Sequence, residues 1–344
     1  MGRHSGELPD DSAGTSDGDR TGRRTHGRRT DGRRSAGGRL AGRWFTAGTT
    51  ATGGPAGGEV TAGDPVDTAV EALEAGTRIV RPADFAPVTD AIVTARGLSK
   101  VYGSGNTRVR ALDGVDVDLA RGELTAVMGP SGSGKSTLMH CLAGLDSPSE
   151  GSIVVDGVEI SRMSQRQLTK LRRTRIGFVF QAYNLVPTLT AAENITLPMD
   201  IARRPVDRER FDTIVRTLEL TDRLHHRPTE LSGGQQQRVA CARALIAAPS
   251  VVFADEPTGN LDSTAAAEVL GFLRTSVDHL GQSVVMVTHE PTAAAYAHRV
   301  LFLADGRLEA ELRDPDADSI LDALRELGAA REERRDLAPA TARR

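Results

Sequence analysis

From about Ala91 onward the chain alternates short apolar runs with stretches of helical period. Runs rich in aliphatic and β-branched residues predict strands at Ala91–Ala95, Leu112–Leu119, Leu124–Met128, Ile153–Val155, Ile176–Phe180, Val251–Ala254, Val284–Thr288 and Val300–Ala304. Helical spacing predicts helices over Lys135–Ala143, Gln165–Arg173, Val206–Leu218, Gly233–Ala247, Ser263–Leu280 and Thr292–His298. Continuous apolar strands followed by helices imply an α/β fold with a parallel sheet buried on both faces. The early strands have little helix between them and imply an antiparallel β element beside that sheet. Near the C-terminus, Ser319–Arg335 keeps helical spacing, with Ile320, Leu321, Leu324 and Leu327 on one face, and is expected either to pack on the domain or to stay mobile.

Composition changes this picture mainly at the ends. Residues 1–90 are rich in Gly, Arg, Asp, Ser and Thr, with pairs such as Arg23-Arg24, Arg28-Arg29 and Arg33-Arg34. Such a segment buries too little apolar area to offset its ordering entropy and is expected to be a disordered tail, with a short helix at Thr68–Ala75. The arginine pairs are read as a solvated tail. The alternatives are weak attraction to anionic lipid or RNA, and an over-called start, although the next methionine is Met128. The expected organisation is therefore a tail over 1–90, a globular domain over 91–311 and a helical or flexible tail over 312–344. Of the 344 residues 39% are apolar and only 3% aromatic, so aliphatic residues must fill the core. A net charge of −3 gives no general case for nucleic acid as a partner. Cys141 and Cys241 lie in helical apolar patterns and are expected to be buried and reduced. No apolar run reaches the ~18–20 residues that span a bilayer, so a membrane role would come through a partner.

Three motifs carry chemistry. Gly129-Pro-Ser131-Gly132-Ser133-Gly134-Lys135-Ser136-Thr137 matches G-x-x-x-x-G-K-[ST] between an apolar strand and a helical run, as a P-loop requires. Its glycines let the backbone wrap a phosphate chain, and its amides form an anion nest at a helix N-terminus. Lys135, one of three lysines against forty arginines, brings positive charge to the β- and γ-phosphates, and the Ser136 hydroxyl suits Mg²⁺. The second motif is the strand Val251–Ala254, which runs into Asp255-Glu256-Pro257. Strand alternation sends the two carboxylates different ways, Asp255 toward the Mg²⁺ shell and Glu256 toward a water in line with the γ-phosphate. In the third, Leu231-Ser232-Gly233-Gly234-Gln235, Ser232 suits a helix N-cap and the glycines leave the first amides open to an anion.

With that third motif the sequence resembles the ABC ATPase family, over roughly Ala91–Glu311. The resemblance implies a P-loop NTPase fold: a RecA-like parallel sheet core, an antiparallel β subdomain and an α-helical signature subdomain. It implies further roles. Tyr102 would stack on adenine, and Gln181 would sense Mg²⁺ and the catalytic water. Asp262 matches the D-loop, and His289 would contact the γ-phosphate. In this family the P-loop of one subunit faces the signature helix of another with ATP between them. One P-loop and one signature per chain therefore imply a homodimer with two composite sites. The stretches Ala111-Leu-Asp-Gly-Val, Asn184-Leu-Val-Pro-Thr-Leu-Thr-Ala-Ala-Glu-Asn and Glu256-Pro-Thr-Gly-Asn-Leu-Asp resemble the MacB/LolD/FtsE-type branch. That branch implies an integral membrane permease as partner, an export, lipoprotein-release or mechanotransmission role, and a peripheral place on the cytoplasmic face of a bacterial plasma membrane. A nutrient importer shares every catalytic motif and is the alternative. The segment Ala182–Pro198 is the candidate coupling surface.

Overall fold

The structure, a computed structural model, describes residues 79–337. The rest, including the helix expected at Thr68–Ala75, lies outside the described residues. In chain order the elements are β1 (Ala91–Tyr102), β2 (Val109–Ala120), β3 (Leu124–Met128), α1 (Lys135–Leu142), β4 (Glu150–Val155), β5 (Val158–Glu159), α2 (Gln165–Arg175), β6 (Ile176–Phe180), α3 (Ala191–Ala202) and α4 (Arg208–Thr217). Then follow α5 (Gly233–Leu245), β7 (Val251–Asp255), α6 (Ser263–Leu280), β8 (Ser283–Val287), α7 (Pro291–Ala294), β9 (Arg299–Ala304), β10 (Arg307–Arg313) and α8 (Ala317–Leu337).

The main sheet has the order β10-β9-β3-β8-β7-β6, parallel except for β10, which turns back antiparallel on β9. Side chains alternate through it, and both faces are covered. Leu124, Ala126 and Met128 of β3, with Val252, Ala254, Val284 and Met286, enter a core beneath α3 to α8. Val127, Val251, Phe253, Val285 and Val287 enter the opposite core, beneath α1, α2 and a second sheet. Each fully buried Val, Leu or Phe contributes about 1.5–3 kcal/mol, which explains why these strands read as unbroken apolar runs. The second sheet, β2-β1-β4-β5, is antiparallel, as the helix-poor early region implied.

Three elements were not legible. β5 is two residues long. In β10 the central Glu311 breaks the apolar pattern, yet it is 1% exposed because Arg299, itself 2% exposed, meets its carboxylate through Nε at 2.6 Å and through Nη2. The same guanidinium donates from Nη1 to Asp118 O at 2.7 Å and so ties the two sheets together. α3 carries Pro198, which reads as a breaker, but the helix is launched by a Thr190–Glu193 capping box. The helix expected over Thr292–His298 regularises only as α7.

The domain edges also differ from the expected 91 and 311. Val80 and Glu311 exchange backbone hydrogen bonds at 3.0 and 2.8 Å, and the Phe85 ring lies 5.7 Å from the Arg299 guanidinium. At the other end β10 runs on to Arg313. α8 docks, burying Ile320 and Ala323 in the main core with Leu324 and Leu327 against it. Pairing with a sheet edge anchored the N-terminal side, and an apolar stripe anchored the C-terminal side. Both cysteines are buried, and burial pushes the Cys141 thiol up to about 11 and the Cys241 thiol up to about 12.

Candidate active site

The carboxyl ends of four parallel strands converge on one edge of the main sheet. β3 leads into 129–134, β6 into Gln181, β7 into Glu256, and β8 into Thr288 and His289. Open α/β sheets bind ligands at such edges.

The turn after β3 tolerates no side chain at two points. A Cβ on Gly129 would meet Leu303 O at 2.0 Å, and one on Gly134 would meet Ala111 O at 2.4 Å. Gly134 also has φ 103° and serves as the N-cap of α1 without a side chain. The first amides of α1 therefore have no capping partner of that kind and form a cradle for an anion. Lys135 is buried beneath the loop, its Nζ donating to Gly129 O at 2.8 Å and to Pro130 O at 3.0 Å. Burial pushes its pKa down, against the pull of Glu256 and Asp255. Ser133 is buried with an unpartnered hydroxyl, whereas Ser131, Gly132 and Ser136 are exposed and Thr137 is half-buried.

At the end of β7, burial pushes the Asp255 carboxyl up, and His140 Nε2 lies 3.9 Å from it. Glu256 has left-handed φ 45°, a conformation a non-glycine residue holds only when its neighbours fix it. Its amide donates to Val287 O at 2.9 Å, its carbonyl accepts from Gly259 N at 3.1 Å, and its Oε1 lies 3.1 Å from His289 Nδ1. Gln181 rests on the same turn. A Cβ on Gly259 would stand 2.7 Å from Gln181 Nε2, and Asn260 Nδ2 donates to Gln181 O at 2.9 Å.

Tyr102 stands beside the start of α1. Its hydroxyl donates to Asp146 Oδ2 at 2.8 Å, the residue is 41% exposed, and burial with that hydrogen bond holds the phenol above its ordinary pKa.

Ser232, Gly233 and Gly234 form another centre. Ser232 Oγ accepts from Gln235 N at 3.2 Å, and Gln235 Oε1 accepts from Ser232 N at 3.0 Å, a reciprocal cap on α5. A Cβ on Gly233 would meet the Tyr183 hydroxyl at 2.9 Å, and one on Gly234 would meet Ala265 Cβ at 2.8 Å. Asp262 caps α6, accepting from Thr264 N and Ala265 N. A cavity of about 620 Å³ runs along Gly129–Ser131, Lys135, Glu256 and His289 and does not reach Ser232–Gly234.

The family profile described as ABC transporter matches residues 112–259. The bacitracin export ATP-binding protein BceA of Halalkalibacterium halodurans is 42% identical over 228 residues, 66% of this chain and 90% of that protein. The chain belongs to the ABC transporter family of ATPases. The macrolide export ATP-binding/permease protein MacB 1/2 of Paracoccus denitrificans is 48% identical over 231 residues, and the chain spans only 34% of its length. The dimeric ATP-binding cassette MJ0796, solved in a post-hydrolysis state bound to ADP and Pi, is 39% identical with a TM-score of 0.59, covering 65% of this chain and 99% of that one. The fold is that of the family, with its parallel core, antiparallel β subdomain and helical subdomain.

Within this ABC fold, one chain brings the P-loop, Asp255, Glu256 and His289 to one edge of the main sheet, with Gln181 on the Gly259 turn and Tyr102, from the second sheet, bonded to Asp146 beyond α1. Ser232–Gly234 and Asp262 are not among the residues that line the cavity beside the chain's own P-loop. Sequence reasoning missed two features. α8 forms a wall of the cavity beside Lys135 and Glu256 through Leu324, Leu327, Gly328 and Arg331. Gln237 sits fully buried on α5. Its signal was available: a polar residue on the helix face that also carries Cys241 and Ala244.

Proposed function

We propose that this cassette hydrolyses Mg·ATP at two sites, each shared between two copies of the chain, and drives a separate integral membrane permease of export type. One observation carries the reading: the cavity along a fully equipped P-loop does not reach an equally well-formed Ser232-Gly233-Gly234 helix start. Only a second copy, turned head to tail, can bring that helix start to the phosphates of this site. That the similar cassette is dimeric supports the pairing of two copies.

Chemically, the amides of 131–137 and Lys135 hold the phosphate chain, and Tyr102 offers a ring to the base. Asp255, Ser136 and Gln181 would hold Mg²⁺. Their oxygen donors suit a hard cation, and the desolvated Asp255 carboxylate gains from a nearby positive charge. Among the described residues no group of three or more His, Cys, Asp and Glu could hold a metal unaided, so substrate phosphates would complete the shell. When bound, Mg²⁺ neutralises charge developing on the β- and γ-oxygens. Glu256 polarises the attacking water. His289 Nδ1 pairs with Glu256 Oε1 at 3.1 Å, which leaves Nε2 to meet a γ-phosphate oxygen. From the other copy, Ser232, Gly233 and Gly234 supply a helix start to the γ-phosphate, with Asp262 beside it.

Among the described residues no helix is long and apolar enough to cross a membrane. A surface for a permease lies behind Gln181, where Leu145, Phe178, Pro198 and Ile201 line a groove of about 450 Å³ flanked by Arg172 and Arg243. Leu145 and Ile201 are 39% and 52% exposed. The groove overlaps the expected coupling segment Ala182–Pro198. It suits a short helix with an apolar face and an acidic flank, and it would hold the chain at the cytoplasmic face of the membrane. The export names of the similar BceA and MacB proteins favour export over the importer alternative.

The test uses the chain purified with its permease. Lys135→Ala and Ser232→Arg copies are each expected to be inactive alone, and mixing them should restore hydrolysis in pairs that keep one intact composite site. No restoration, or no permease in the purified complex, would overturn the proposal.

A further inference from the structure

Gln237 lies on α5 five residues beyond the capping Ser232 and is 0% exposed. Its Nε2 donates to Pro257 O at 2.6 Å and reaches Phe180 O at 3.4 Å. Phe180 immediately precedes Gln181, and Pro257 immediately follows Glu256. One carboxamide therefore grips the backbone on the flank of both residues that would handle the metal and the water. The other end of the amide, Oε1, is buried without a hydrogen-bond partner.

That orphaned acceptor argues against a packing role. A buried unpaired oxygen is costly, and a methionine of similar length would fill the same space without it. Rotating the amide would set Oε1 against two carbonyl oxygens, so the donor is what the site uses. Its neighbours make the same connection. Tyr183 Oη donates to Asn260 O at 3.3 Å and lies over Gly233, and Gly234 packs on Ala265. The start of α5, the segment after β6 and the turn after β7 thus form one cluster with Gln237 at its centre. Glu256, at φ 45°, depends on such outside restraint to keep its carboxylate aimed.

We propose that Gln237 is a positioning residue that locks the signature helix, which acts on the other copy's nucleotide, to Gln181 and Glu256 of its own copy. The proposal rests on the two-copy reading above and adds a physical link between the two sites. When a phosphate draws in the start of α5, Gln237 carries the displacement to the Phe180 and Pro257 carbonyls, and so to the water-handling side chains of the other site.

The test compares Gln237→Met with Val239→Ala, a buried apolar position on the same helix. In the permease complex Gln237→Met should lower kcat by about tenfold to a hundredfold, the scale of a small misalignment, with KM for ATP changed less than about threefold. Val239→Ala should lower Tm at least as far while kcat stays within about threefold of wild type. In a hydrolysis-blocked Glu256→Gln background, Gln237→Met should leave ATP-dependent pairing intact. A Gln237→Met kcat within threefold of wild type, a loss no greater than that of Val239→Ala, or loss of pairing in the double variant would each overturn the assignment. If Glu256→Gln alone fails to pair with ATP, the two-copy reading fails instead, which separates the two cases.

Discussion

Replacing Glu256 by glutamine isolates the chemical step from the structure around it. The substitution keeps every heavy-atom position and the same Cβ, so the left-handed φ of 45° costs the same in both proteins. The amide can still accept from His289 Nδ1, now at 3.1 Å from Oε1, and the His289 side chain is 58% exposed. An exposed pair of that kind contributes about 0–1 kcal/mol, so Tm should scarcely move. Removing a general base costs about 10²–10⁴-fold in rate, or roughly 3–5 kcal/mol of barrier. Nucleotide binding should hold or tighten. The P-loop amides and Lys135 are untouched, and one of the two negative charges that bear on Lys135 is gone from the γ-phosphate side. The assay is phosphate release at saturating Mg·ATP, with size-exclusion chromatography in ATP and in ADP. The expected result is turnover below about 1% of wild type and a pair stable in ATP alone. Turnover within threefold of wild type, with ATP bound normally, would show that Glu256 is not the base.

Two further predictions concern the frame that holds the site. Arg299→Met strands the Glu311 carboxylate, 1% exposed, leaving among the described residues the exposed Arg313, its Nε at 3.4 Å, to relieve it. A broken buried pair costs about 3–5 kcal/mol, so Tm should fall by roughly 6–20 °C in thermal unfolding, and Arg299→Met with Glu311→Leu should recover most of it. A fall in Tm below about 2 °C for the single variant would refute the pair's role. Hydrogen bonds from Arg121 and Ser250, with the Arg175 charge, hold the Asp156 carboxyl below its ordinary value. A carboxyl depressed in the folded state gives stability that is full above the unfolded value of about 4 and fades as pH falls through the folded one. Asp156→Asn should therefore be less stable than wild type at pH 7 in urea unfolding, with the gap closing below about pH 4. A gap unchanged with pH would defeat this account.

Much of the molecule could be read from local pattern because its physical causes are local. The turn after β3 needs Gly129 and Gly134 at fixed spacing, since a Cβ at either would strike a carbonyl oxygen. A parallel strand covered on both faces must be apolar throughout, which marked β3, β7 and β8. Ser232, followed three residues later by Gln235, is a helix start written in the sequence. The sequence by itself therefore determined the glycine turn after β3, the acidic end of β7, the capped start of α5 and the α/β class.

Tertiary structure alone decided the rest, because those features depend on partners distant along the chain. Glu311 could be buried only because Arg299 lies on the neighbouring strand. Val80 joined the domain by pairing with that same edge, and α8 became a wall of the cavity beside Lys135 and Glu256 because Ile320 and Ala323 found a core to enter. Gln237 gained its meaning from the Phe180 and Pro257 carbonyls, 57 and 20 residues away in sequence. Hydrophobic period and turn chemistry act over a few residues and leave a trace in the sequence. The pairing of a buried polar group is settled only when the chain closes on itself.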